Sequence, residues 1–185
     1  MEKMILGFTG PIASGKEVAK KYIEAKYGAS SFKFSTILRN ILNSINIDQN
    51  RNNIMALSTF LRQQYGEDIL AKAIAKSVSE SSDNIIVVDG IRRLADIEYL
   101  KKVPGFTLIA IDAKPEIRYT RSVTRNENPG DAEKGYEEFV ADHIRETETT
   151  IPEVMSHSDY QLDNSNDFDN LYQQIDKLVS KIQDN

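Results

Sequence analysis

The chain has 185 residues, enough for one domain with a sizeable core and few for two, and one domain over 1–185 is expected. Acidic side chains outnumber basic ones, 28 to 23, and the net charge of -5 excludes a broad electrostatic grip on nucleic acid, so any anion site must be a local cluster. With no cysteine and two histidines lacking companions at metal-ligand spacing, a disulfide framework and a zinc site are excluded; any metal is expected to arrive with substrate.

In chain order, short apolar runs alternate with helical patterns: MILGF then KKYIEAKYG, FKF then ILRNILNSI, NIIVVD then ADIEYLKK, FTLIAID then EIRYTRSVTR, DYQLD then LYQQIDKLVSKI. This alternation predicts an α/β fold of three layers with a parallel sheet of about five strands. The runs Ile85 to Val88 and Phe106 to Ile111 are continuously apolar, as central strands covered on both faces must be. Two more helical stretches, IMALSTFLRQQYG and DILAKAIAKSV, have Gly66 between them as a stop, and predict a helical insert near residues 35–80. From Asn126 to Gly135 the composition is polar, with Pro and Gly, and a short lid over 126–145 is expected. No run approaches the roughly 20 apolar residues of a membrane span, and residues 1–9 are too short for the apolar part of a signal peptide. A cytoplasmic protein with no membrane partner is expected.

The stretch GPIASGKE, residues 10–17, sits between the first apolar run and the first helix. Binding a triphosphate needs backbone N–H groups that converge on oxygen atoms and a helix whose positive end faces the anion. Gly10, Pro11, Ile12, Ala13, Ser14 and Gly15 supply such a loop, and Lys16 supplies a mobile positive charge for the outer phosphates. Position 17 departs from the usual pattern, which has a hydroxyl to hold magnesium; here it is Glu17. Glu17 either faces solvent in the first helical turn, where a carboxylate suits the helix dipole, or holds magnesium through water. Without the hydroxyl, magnesium brought by ATP must be held mainly by phosphates and Asp89.

Later motifs carry a resemblance. GPIASGK, FSTILRNI, VVDGIRR, PEIRYTRSVTR and DYQLDNSNDFDNL, in this order, resemble P-loop nucleoside-monophosphate kinases, and more closely a poorly described branch near the adenylate, cytidylate and dephospho-coenzyme A kinases. The resemblance spans nearly the whole chain. It implies ATP- and magnesium-dependent phosphoryl transfer, with Asp89 organising the metal. It implies an acceptor held by Ser35, Thr36, Arg39 and Arg93, and a transferred group embraced by Arg121 and Arg125, with Arg145 a looser match. In FSTILRNI one residue of the family's spacing is missing. The last strand and its turn would lie near the adenine. Arg62 reads equally as a second acceptor-phosphate clamp or an exposed helix residue. Arg118, Arg121 and Arg125 lie close together with few carboxylates to pair, which is costly unless an anion arrives.

The acceptor follows from what is missing. A ribose hydroxyl, the acceptor of dephospho-coenzyme A kinase, calls for a carboxylate near the second strand to receive its proton, and FKFSTILR offers only Ser35 and Thr36 there. A phosphate acceptor needs only positioning and charge, which Arg39, Arg62 and Arg93 could supply. A nucleoside monophosphate or related small phosphate is therefore expected, with dephospho-coenzyme A kinase and a non-catalytic nucleotide-dependent switch as the alternatives.

Overall fold

The structure, a computed structural model, describes residues 3–125, 135–141 and 149–184. Five parallel strands, β1 (Met4–Thr9), β2 (Ser30–Lys33), β3 (Ile85–Asp89), β4 (Phe106–Asp112) and β5 (Tyr160–Asp163), form one sheet in the order β2-β3-β1-β4-β5. β1 is central and buried along its whole length. Alternation along the strands divides the core in two, because successive side chains point to opposite faces. Ile5, Ile86, Val88 and Leu108 point to one face, and Leu6, Phe8, Val87, Ile109 and Ile111 to the other.

Helices cover both faces, the reason the strands read as continuous apolar runs. α1 (Lys16–Tyr27) and the C-terminal helix pack on the second face through Ala19, Ile23, Leu171 and Ile175. The first face carries α2 (Phe34–Ser44) and α4 (Ile69–Glu80), with α3 (Arg51–Tyr65) packed against both. These three helices are the expected insert. Gly66 caps α3 as predicted, its N–H donating to the Arg62 carbonyl. The apolar run read as FKF ends one residue sooner, since Phe34 turns into α2 and is buried beneath it. Likewise ADIEYLKK divides into α5 (Leu94–Glu98) and a single 3₁₀ turn, Leu100–Lys102.

Beyond β4 come α6 (Pro115–Arg125), α7 (Tyr136–Ala141) and α8 (Ile151–Ser156), and the C-terminal helix is α9 (Phe168–Gln183). No helix among the described residues is long and apolar enough to cross a membrane. The connections after β1 and β3 leave toward opposite edges of the sheet, and the crevice that this opens at the carboxyl ends of the strands is where ligands bind in such sheets.

Candidate active site

The loop at the end of β1 is held by backbone contacts with buried neighbours. At Gly10, φ is +142°, and a Cβ built there would lie 2.0 Å from the Ile111 carbonyl oxygen. At Gly15, φ is +105°, and a Cβ would lie 2.0 Å from Asn164 Nδ2. No other residue fits either place. Asn164 is fully buried; its Nδ2 donates to the Ser14 carbonyl at 2.8 Å and its own N–H to the Asp112 carbonyl at 2.7 Å. Thus the turn after β5 braces the phosphate loop from behind. Ala13, at φ +59°, keeps a left-handed conformation that costs a non-glycine residue about 1 kcal/mol. Lys16 Nζ curls over the loop and donates to the carbonyls of Gly10 at 2.6 Å and Pro11 at 2.8 Å. α1 starts at Lys16, so its positive end adjoins the loop.

Glu17 lies in the first turn of α1 with its side chain partly exposed, and two lysines engage it. Its two carboxylate oxygens meet Lys20 Nζ at 2.7 Å and Lys33 Nζ at 3.0 Å. Burial would raise its pKa, but the hydrogen bonds from Lys20 and Lys33 outweigh it and hold the carboxyl below its ordinary value. Asp89, expected to organise the metal, lies at the end of β3 with Oδ2 3.4 Å from the same Lys33 ammonium. These residues do not fit a magnesium ion held by the protein. Position 17 has no hydroxyl, and both nearby carboxylates already face a lysine ammonium.

Across the crevice, α3 turns one stripe toward the cleft: Arg51, Met55, Ser58 and Arg62, at intervals of four, three and four. Arg62 is buried. It pairs with the equally buried Asp96 at 3.0 Å and donates to the Glu67 carbonyl, while its Nε faces no acceptor. Asp96 also accepts the N–H groups of Arg92 and Arg93, each at 3.0 Å, and so shapes the turn after β3. Arg93 lines the cleft and donates to Glu67 at 2.8 Å. Arg51 is exposed and has no polar partner among the described residues. Ser35 lines the cleft, but Thr36 and Arg39 do not. Arg39, expected to hold the acceptor, lies on the exposed side of α2, outside the cleft lining, and donates to the Gln49 carbonyl at 3.1 Å.

α6 lines the third side. Arg121 and Arg125 face the cleft, one turn apart. Arg121 is half-buried, reaches Asn164 Oδ1 at 3.4 Å and the Asn166 carbonyl at 3.3 Å, and lies 5.3 Å from the Phe168 ring centre. Its NH1 has no acceptor, and burial holds its pKa below the ordinary value. A guanidinium so placed gains from an anion. Arg118, by contrast, is buried and donates to the Ala113 carbonyl at 3.0 Å. Arg145 and most of the expected lid fall outside the described residues.

These surfaces enclose a cleft of about 1020 Å³, lined by nine lysine and arginine side chains against three carboxylates in a chain of net charge -5. That volume is at the upper end for small-molecule sites and can take a nucleotide and a second small molecule. Sequence reasoning did not find Lys33, Arg51, Asp96 or Asn164. Only Lys33 left a trace, as a charge between two aromatic residues in FKF.

Strand order, phosphate loop and cleft define a protein of the P-loop kinase fold. No protein-family model matches the chain. It is 26% identical over 184 residues to the UPF0200 protein MJ1399 of Methanocaldococcus jannaschii, covering 98% of this chain and 92% of that one. Among solved structures it is similar to shikimate kinase from Bacteroides thetaiotaomicron, with a TM-score of 0.62, 13% identity and coverage of 96% and 98% of the two chains. A gluconokinase from Sinorhizobium meliloti 1021 matches with a TM-score of 0.58, 12% identity and coverage of 98% and 95%.

Proposed function

We propose that the protein transfers the γ-phosphoryl group of ATP to a small acceptor that already carries a phosphate, a nucleoside monophosphate being the best fit. The observation that carries this reading is the state of the carboxylates. Those lining the cleft among the described residues are Glu17, Asp89 and Asp96, and each is engaged by a lysine or arginine. Among the described residues a hydroxyl acceptor would find no carboxylate free of a lysine or arginine partner to take its proton. A phosphate oxygen is already an anion and needs only to be brought into line.

In this reading the amides of residues 10–16 and Lys16 hold the β and γ phosphates of the donor. The acceptor enters against the apolar wall of Leu38, Ile54 and Met55, its phosphate drawn by Arg51, Arg62 and Arg93. One acceptor oxygen bonds to the γ phosphorus as the bond to the β–γ bridging oxygen breaks, and the electron pair leaves with ADP. Arg121 and Arg125 balance charge on the equatorial oxygens during this exchange. Similarity to the kinases named above supports phosphoryl transfer in general, and the arginine lining supports an anionic acceptor.

The test is direct. Incubated with labelled ATP and a panel of nucleoside monophosphates, dephospho-coenzyme A and shikimate, with magnesium or with EDTA, the protein should label a monophosphate. Labelling of dephospho-coenzyme A or shikimate alone would refute the argument from the missing base. Binding of ATP with no acceptor labelled would favour a nucleotide-dependent switch.

A further inference from the structure

Lys33, Glu17 and Asp89 form a unit whose logic lies in the strand register. Lys33 and Asp89 are partners at the carboxyl ends of the adjacent parallel strands β2 and β3, so both side chains leave the sheet on one face. α1 packs on that face, and its first turn carries Glu17 to the same corner. The result is a chain of alternating charge from Lys20 through Glu17 and Lys33 to Asp89, at 2.7, 3.0 and 3.4 Å. Burial opposes the Lys33 charge, yet hydrogen bonding within the cluster and the field of Asp89 outweigh it and raise its pKa. An ammonium has three donors. Glu17 accepts one, Asp89 stands as an ion-pair partner at 3.4 Å, and Lys33 lines the cleft with Lys16.

We propose that Lys33 is a built-in cation of the phosphate site, holding between Glu17 and Asp89 the position at which a divalent ion would need those carboxylates, and offering its remaining donor to the outer phosphates. The glutamate at position 17 and the lysine at position 33 are then a matched pair. Glu17 alone would repel a polyphosphate, whereas Lys33, at the end of the edge strand β2, cancels its charge, so that Lys20, Glu17, Lys33 and Asp89 together carry no net charge. The role toward phosphate rests on the functional reading above; the role between the carboxylates does not.

Manganese(II) titrated into the full chain without nucleotide, with free ion followed by electron paramagnetic resonance, tests the second role. Lys33→Met should bind one ion at least about tenfold more tightly than the parent, because Asp89 loses its counter-charge and Glu17 keeps only Lys20, and the double variant Glu17→Thr, Lys33→Met should lose that gain. Equal affinity in the parent and a folded Lys33→Met, or a gain kept by the double variant, overturns the proposal; Lys33→Gln serves if the methionine variant does not fold. For the parent itself, calorimetry should find ATP affinities in EDTA and in magnesium within about tenfold of each other, and a wider gap overturns the role toward phosphate. Absence of ATP binding in both conditions refutes the functional reading and the phosphate role together, while the manganese titration still decides whether Lys33 stands between the carboxylates.

Discussion

The phosphate loop takes its shape from backbone contacts with buried neighbours, whereas the insert side of the cleft is made of long side chains on α3 and on the turn after β3. At the loop, the Ile111 carbonyl and Asn164 stand where a Cβ at Gly10 or Gly15 would go, so the conformation is set before any ligand arrives. On the insert side Arg51 has no polar partner among the described residues, Arg93 reaches an exposed glutamate, and only Arg62 is buried in a bonded network. A site for a group common to all nucleotides can be rigid. A site that selects one acceptor depends on a few side chains, and those can vary without disturbing the fold.

That contrast is open to direct attack, beginning at the loop. Lys16→Ala should lower turnover about 1000-fold, near 4 kcal/mol of transition-state stabilisation, with the melting temperature unchanged by circular dichroism. An unaltered rate would remove the loop from the chemistry. Next, Arg62→Met should cost about 3 kcal/mol in chemical denaturation, since it leaves the Asp96 carboxylate buried without its cation. The acceptor KM should rise as well, and an unmoved KM would confine Arg62 to the scaffold.

Arg51→Ala sharpens the comparison from the other side. Its charge lies at the first residue of α3, where the helix dipole disfavours a cation, so its loss should alter stability by no more than about 0.5 kcal/mol. The acceptor KM should nevertheless rise about tenfold with the ATP KM unmoved, as steady-state kinetics would show. Equal rises in both constants would place Arg51 on the donor. The smallest effect is expected behind the loop, where Tyr22, Lys26 and Tyr27 of α1 donate to Asp176 of α9 at 2.9, 2.7 and 2.7 Å. Asp176→Asn should cost about 1 kcal/mol. Burial would raise the Asp176 pKa, but these donors outweigh it and lower it, so its stabilisation is full above the ordinary carboxylate pKa and is lost as pH falls through the depressed value. The variant should flatten that acid limb, and parallel acid curves for the two proteins would discount the cluster.

Local chemistry by itself determined the alternation of strand and helix, the phosphate loop, the end of α3 at Gly66 and the nearness of Arg121 to Arg125, because each depends on residues within a few positions of one another. Tertiary structure alone decided what crosses between elements. The β2–β3 register aligns Lys33 with Asp89, and no periodicity in either strand specifies which residues will be neighbours. The rotation of α2 keeps Phe34 and Leu38 in the core and thereby turns Arg39 outward to Gln49. Asn164, distant in sequence from the loop it braces, became legible only when β5 was laid beside β4. The anomaly at Glu17 is of the same kind: the letter is in the sequence, but the lysine that answers it comes from another strand, through the hydrophobic packing that sets how α1 lies on the sheet.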